Sequence, residues 1–222
     1  TRAGLFAFDR DAVLAANAVD ETITLATLAE NLVVPTGRLV ATVKIISYGV
    51  ARDCLEAACA KARGAISMRP TAIQAVELIQ TTVPGDDGAK GHRHICKRLE
   101  RLRVAAGEKT LVAHNEADLA QAIAASTAEV ILILTASATS DIDDVAPAAV
   151  RKAGGSITHF GMPVDPGNLL FLGEVAGRPV IGLPGCARSP ALNGADWVLA
   201  RVVCGVPVTA QDIAGMGVGG LL

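Results

Sequence analysis

The sequence predicts an α/β protein: a three-layer α/β/α domain on a mainly parallel sheet, preceded by a smaller strand-rich region. Three observations carry this expectation. From about residue 74 apolar segments alternate with helical stretches across short turns, a pattern that favours right-handed crossovers between parallel strands. The run Glu129-Val130-Ile131-Leu132-Ile133-Leu134-Thr135 is almost continuously apolar, as in a strand covered on both faces. Ahead of residue 74 the pattern changes to β-branched stretches set apart by a Pro-Thr-Gly turn.

Taken in order, residues 22–28 and 39–46 flank Pro35-Thr36-Gly37 and read as strand, turn and strand. A helix is expected over 50–63, where Val50, Cys54, Ala57 and Ala58 share a face and Gly64 stands as the stop. Arg69-Pro70-Thr71 marks a boundary, giving a first region 1–73 and a second domain 74–222. Strands follow at 76–82, 109–114 and 129–135, with helices at 92–105 and 116–126 between them. A helix at 145–153 ends in Gly154-Gly155, suited to a left-handed cap. Strands at 156–160 and 179–183 complete the set, and a last helix at 190–204 places Pro190 in its first turn behind Ser189 as cap.

Composition removes several function classes. The 222 residues carry 20 Lys+Arg against 22 Asp+Glu, a net charge of −2, so no nucleic acid held by bulk charge is expected. A hydrophobic share of 51% excludes a wholly disordered chain, and an aromatic share of 3% leaves few rings for a base-stacking surface. Cys54, Cys59, Cys96, Cys186 and Cys204 lack the paired spacings of a zinc ribbon or a disulfide scaffold, which fits a reducing, cytoplasmic setting. No apolar run reaches the roughly 18 residues that span a bilayer, so no membrane partner is expected. The chain starts at Thr1, as a processed chain or a domain cut from a longer one would.

Ligands of such sheets lie beyond the carboxyl ends of the strands. After the third strand comes Ala136-Ser137-Ala138-Thr139-Ser140, then Asp141-Ile142-Asp143-Asp144 and a helix. Small residues admit a ligand to the backbone, hydroxyls donate to phosphate oxygens, and a helix start offers unpaired N–H groups. The alternative is a hydroxyl-rich turn with Asp144 as N-cap. Three aspartates within four positions repel unless a cation such as magnesium or a basic side chain intervenes.

Two further loops, 161–168 and 182–190, are rich in turn-fixing residues. Pro184-Gly185 at a strand end exposes bare backbone to a phosphate, with Arg188 near enough to add charge. Cys186 is either a thiolate favoured by a helix start or a small packing residue. Asn193 and Asp196 share a helical face, so they either reach the crevice together or form a solvated face. His92-x-His94-x-Cys96 reduces on a helix to a two-ligand pair, because His94 points away. His114 ends the second strand, where it is either a crevice residue or a satisfied strand-end histidine. The C-terminal Gly215-Met216-Gly217-Val218-Gly219-Gly220 lacks the following helix that a dinucleotide fingerprint requires, and neither a Walker loop nor a G-x-S-x-G elbow occurs.

The segment from about 75 to 222 resembles the molybdopterin-binding domain shared by molybdopterin adenylyltransferase, molybdopterin molybdotransferase and gephyrin. Asp144-Val145-Ala146-Pro147 is similar to that family's D-V-x-P and Leu183-Pro184-Gly185 to its L-P-G. Residues 161–170 and 182–190, with Asn193, Gly194 and Asp196, look like the molybdopterin-binding half of bacterial two-part proteins that also carry a molybdenum-cofactor nucleotidyltransferase. Thr135-Ala136-Ser137-Ala138-Thr139 stands where relatives have a T-G-G-T/S-G loop, Cys186 where many have Asn or Ser, and His114 near a position that is often Asp.

The resemblance implies binding of molybdopterin or the molybdenum cofactor and a role in its biosynthesis, maturation or delivery, with adenylyl- or molybdo-transfer as the activity if the chain is an enzyme. It implies a homo-oligomer, and a molybdoenzyme or a nucleotidyltransferase as partner. Ser137 and Thr139 are then expected to donate to the terminal phosphate. Asp144 is expected to hold the helix start or a magnesium ion and is the candidate catalytic residue. Pro166, Gly167, Asn168, Pro184, Gly185, Cys186, Ser189, Asn193 and Asp196 are expected to line the pterin. The alternative is a docking module of the same fold without pterin.

Overall fold

The computed structural model describes residues 3–107 and 109–222, and the chain divides into two compact units, Thr1–Pro70 and Thr71–Leu222. The first unit runs β1 (Gly4–Phe8), α1 (Arg10–Asn17), β2 (Ile23–Thr27), β3 (Val33–Val34), β4 (Ala41–Ile45), α2 (Arg52–Ala62) and β5 (Ile66–Arg69). The expected strand, turn and strand is the β2–β4 pair, antiparallel from Ile23 opposite Ile45 to Thr27 opposite Ala41. Gly37 takes φ +85° in the connection, where Arg38 N–H bonds the Pro35 carbonyl at 3.3 Å. A second antiparallel sheet, β3-β1-β5, was not foreseen. β1 is five residues long and buried along its first four, so it shows no alternation for a sequence reading to find.

The second unit runs β6 (Ala75–Thr82), α3 (Ala89–Arg101), β7 (Ala105–Ala106), β8 (Thr110–Ala113), α4 (Glu116–Ala125), β9 (Val130–Leu134), α5 (Val145–Lys152), β10 (Ser156–Phe160), β11 (Phe171–Val175), β12 (Arg178–Gly182), a 3-10 turn (Gly185–Arg188), α6 (Gly194–Val203) and α7 (Ala210–Gly215). Its sheet has the order β10-β11-β12-β9-β6-β7, with β8 also paired to β6. The pairs β6–β7, β6–β8, β6–β9 and β12–β9 are parallel, and β10–β11–β12 are antiparallel. β6 divides one edge between two partners: Ala75 and Val76 face β7, while Ile79 to Thr82 face β8. β10 carries a register shift between Ile157 and His159.

β9 is buried at all five positions, the strand that its apolar run predicts. On one face Ile79, Ile131 and Ile133 pack with Leu119 and Ile123 of α4, Ala149 and Val150 of α5, and Phe171. Each such large side chain contributes about 1.5–3 kcal/mol by leaving water. On the other face Gly91 of α3 sits so close to Leu134 that an added Cβ would lie 2.7 Å from its Cδ2. Helices therefore cover both faces, and the three-layer, mainly parallel architecture is as expected.

Three expectations fail. The helix expected over 92–105 is α3, Ala89–Arg101, and the chain beyond it forms the short strand β7. A strand not expected from the sequence, β11, enters between β10 and β12 and runs antiparallel to both. The last long helix does not start at Pro190 behind Ser189. Ser189 ends the 3-10 turn, and α6 begins at Gly194 on an Asn193/Asp196 capping box.

At the start of β6, Glu129 Oε2 accepts the N–H groups of Gln74 and Ala75 at 2.7 and 2.8 Å. The Ala75 bond first, then the Gln74 bond, holds this carboxyl below its ordinary 4.5. Its stabilising contribution is therefore complete above that value and lost as pH falls through the lower folded one. Glu129→Gln keeps an acceptor but does not titrate. Urea midpoints measured from neutral to acidic pH should fall less steeply for the variant than for the wild type in the acid limb.

Candidate functional site

The carboxyl ends of β6, β8, β9 and β12 carry the residues that bear chemistry. At the end of β6 the Thr81 hydroxyl accepts the Ala136 N–H at 2.9 Å and stands 2.7 Å from Nδ1 of His114, just beyond β8. His114 Nε2 stands 2.9 Å from the Ser137 hydroxyl in the loop after β9. Three strand ends thus converge on one exposed serine. The same loop is braced from within, because the Thr135 hydroxyl donates to the Ser137 carbonyl at 2.7 Å and stands 3.2 Å from the Thr139 hydroxyl. Thr139 is buried, so of the two predicted phosphate donors only Ser137 faces solvent.

Arg188, on the 3-10 turn after β12, donates from Nη2 to the Thr135 carbonyl, which ties the loop after β12 to the loop after β9. Burial pulls the pKa of this guanidinium down and the Asp86 carboxylate opposes the pull, so the loop 83–88 after β6 belongs to the same neighbourhood. There Asp86 and Asp87 accept the N–H groups of Gly88 and Ala89, each at 2.9 Å.

The acidic stretch does not fit a protein-built magnesium site. Asp144 Oδ2 accepts the Ser140 and Asp141 N–H groups at 2.6 and 2.9 Å, Asp141 accepts from Asp143 N–H at 2.8 Å, and Asp143 pairs with Arg151 at 2.7 Å. Among the described residues no group of three or more His, Cys, Asp or Glu is placed to hold a metal ion. Asp144 precedes α5 as its N-cap residue, yet its carboxylate bonds backward into the loop and not forward into the helix. His92 and Cys96 do form the expected pair, with Nε2 to Sγ at 3.3 Å.

The remaining predicted residues lie in two joined loops. The Pro166 carbonyl accepts the Gly194 N–H at 2.9 Å, and Gly167, at φ +144°, lies so close that a Cβ there would meet the Gly194 nitrogen at 2.7 Å. Asn168 is exposed and exchanges backbone and side-chain bonds with Met162 at 2.9 and 3.4 Å. The Pro184 carbonyl opens the 3-10 turn by accepting Ala187 N–H at 2.9 Å. Gly185 is exposed. Cys186 is half-buried, and burial pushes its thiol pKa up, the opposite of what an activated thiolate needs. Ser189 accepts Ala191 N–H on its hydroxyl at 3.3 Å. Asn193 and Asp196 serve the capping box of α6, and the Asn193 Nδ2 is buried without a partner.

Sequence reasoning missed Arg98, the residue that sets this second loop. From α3, at 5% exposure, it donates to the carbonyls of Ala187, Ser189 and Ala191 at 3.1, 3.0 and 2.8 Å. Its Nε stands 2.7 Å from Asp196 Oδ1, an ion pair without an aligned hydrogen bond. Thr81 was also missed, although polar Gln80-Thr81-Thr82 at the end of an apolar strand is a usable signal.

No protein-family model and no curated protein matches the chain. Among solved structures it is similar to the molybdopterin biosynthesis MoeA protein from Pyrococcus horikosii, at 17% identity and a TM-score of 0.42, over 89% of this chain and 52% of that one. It is also similar to molybdenum cofactor biosynthesis protein B, at 12% identity and a TM-score of 0.40, over 59% of this chain and 88% of that one. The chain thus spans about half the length of the Pyrococcus protein. No described helix is long and apolar enough to cross a membrane.

Proposed function

We propose that this chain binds molybdopterin or the molybdenum cofactor at the carboxyl ends of β6, β8, β9 and β12, and takes part in biosynthesis, maturation or delivery of that cofactor. One observation carries the reading. The stretches that resemble molybdopterin-binding motifs are far apart in sequence, yet the Arg188 to Thr135 bond and the Gly194 to Pro166 bond tie them into one loop cluster. Ser137 offers a hydroxyl to the terminal phosphate, with Arg188 behind it. The unpartnered Asn193 amide at the edge of the second loop is a donor in want of an acceptor.

Binding without transfer is the form of this function that the acidic loop favours. Its carboxylates are already engaged by backbone N–H groups and Arg151, leaving Asp144 to shape the loop. A carrier of this kind serves a molybdoenzyme or a nucleotidyltransferase, acting as a homo-oligomer. The inward Thr139 hydroxyl favours a second reading, docking without pterin.

Acid–iodine oxidation of freshly purified protein from a host that makes molybdopterin, read by pterin fluorescence, separates the two. A stoichiometric signal is expected. No signal, together with no heat on calorimetric titration with molybdopterin, would leave docking as the function.

A further inference from the structure

The contact between Ser137 and His114 invites a reading as nucleophile and base, and the hydrogens decide against it. The Thr81 hydroxyl is 1% exposed and already accepts the Ala136 N–H. It has one hydrogen of its own, and a buried hydroxyl hydrogen needs an acceptor. The acceptor within reach is Nδ1 of His114, at 2.7 Å. A neutral imidazole that accepts on Nδ1 carries its proton on Nε2. That N–H then donates to the Ser137 oxygen at 2.9 Å. The Ser137 hydrogen is turned away from the ring, toward solvent, whereas a nucleophilic serine gives its hydrogen to the imidazole.

We propose that His114, set by Thr81, is a positioning residue that fixes the Ser137 hydroxyl as an outward donor to an oxygen of a phosphate monoester. The order of donation is Ala136 N–H to Thr81, Thr81 O–H to His114, His114 N–H to Ser137, and Ser137 O–H to the ligand. Each link polarises the next, so the terminal hydroxyl is a better donor than an isolated serine. Arg188, bonded to the Thr135 carbonyl two residues before Ser137, supplies positive charge beside the same loop. The inference rests on the reading of this cluster as the seat of an anionic ligand, and it adds to that reading the residues that aim the donor.

Two measurements on the full chain test it. Long-range proton–nitrogen NMR of the His114 ring should show the Nε2-protonated tautomer in the unliganded wild type, and Thr81→Val, which removes the hydroxyl at nearly constant shape, should abolish that preference. An Nδ1-protonated ring in the wild type would overturn the proposal. In the second, inorganic phosphate is titrated while backbone amide shifts in the 136–139 loop are followed. Ser137→Ala and His114→Ala should each weaken phosphate binding about tenfold. His114→Gln, which returns an N–H donor near the Nε2 position, should recover most of the loss. Phosphate affinity unaffected by His114→Ala, or no recovery with glutamine in a protein whose spectrum is otherwise native, would overturn it. If the phosphate and tautomer results hold while molybdopterin fails to bind, the pterin reading falls and the positioning role stands.

Discussion

Arg98→Met should lower the stability of the Thr71–Leu222 unit by about 3–5 kcal/mol, the range for breaking a buried ion pair by removing one partner. The side chain is 5% exposed, and its partner Asp196 keeps 16% exposure. Methionine fills much of the volume but leaves the carbonyls of Ala187, Ser189 and Ala191 without donors and the Asp196 carboxylate without a counter-charge. Arg98→Lys restores the charge at one point and cannot reach three carbonyls and a carboxylate together, so its stability should fall between the two. Urea unfolding of the three proteins gives the order directly. A methionine variant within 1 kcal/mol of wild type, on the order of a surface change, would mean that the turn Gly185–Arg188 is held by other contacts.

Gly182→Ala should also destabilise this unit, by about 1–3 kcal/mol, through overpacking. Gly182 ends β12 directly opposite Phe171 of β11, and a Cβ built there lies 1.9 Å from Cε1 and 2.1 Å from Cδ1 of that ring. Phe171 is 1% exposed and packs in the core between the sheet and α4 and α5, so the ring has no free space to yield. The thermal transition should drop by about 2–4 °C per kcal/mol for a domain of this size. In the double variant Gly182→Ala/Phe171→Leu the two changes should cost less together than their separate sum, the mark of a shared cause.

What the sequence made legible divides along physical lines. β9 was legible because burial on both faces leaves an unbroken apolar run at Val130–Leu134. The β2–β4 pair was legible because a proline–glycine turn separates two β-branched stretches. β11 was not: Gly173 interrupts its middle, and nothing local shows that Phe171 covers Gly182 across the strand pair. The start of α6 was misplaced because Ser189-Pro190 is a sound local signal that competes with the Asn193-x-x-Asp196 capping box four residues further on. Candidate loops followed from the rule that ligands lie beyond strand ends, whereas the roles of single residues did not. The Arg98 partners lie about ninety residues away, and the Thr81, His114 and Ser137 contact spans three strand ends. Such contacts have no sequence period to betray them.

The two edges of the large sheet have a consequence for life at high protein concentration. An open strand edge is a template on which another chain can add itself and begin an aggregate. On one side the edge is formed by β7 and β8, two and four residues long, which divide the pairing line of β6 between them, so an incoming strand finds no continuous row of groups to copy. On the other side β10 slips register between Ile157 and His159, and such a bulge twists an edge away from flat pairing. Edges interrupted on both sides disfavour growth by strand addition in a domain with so apolar a centre.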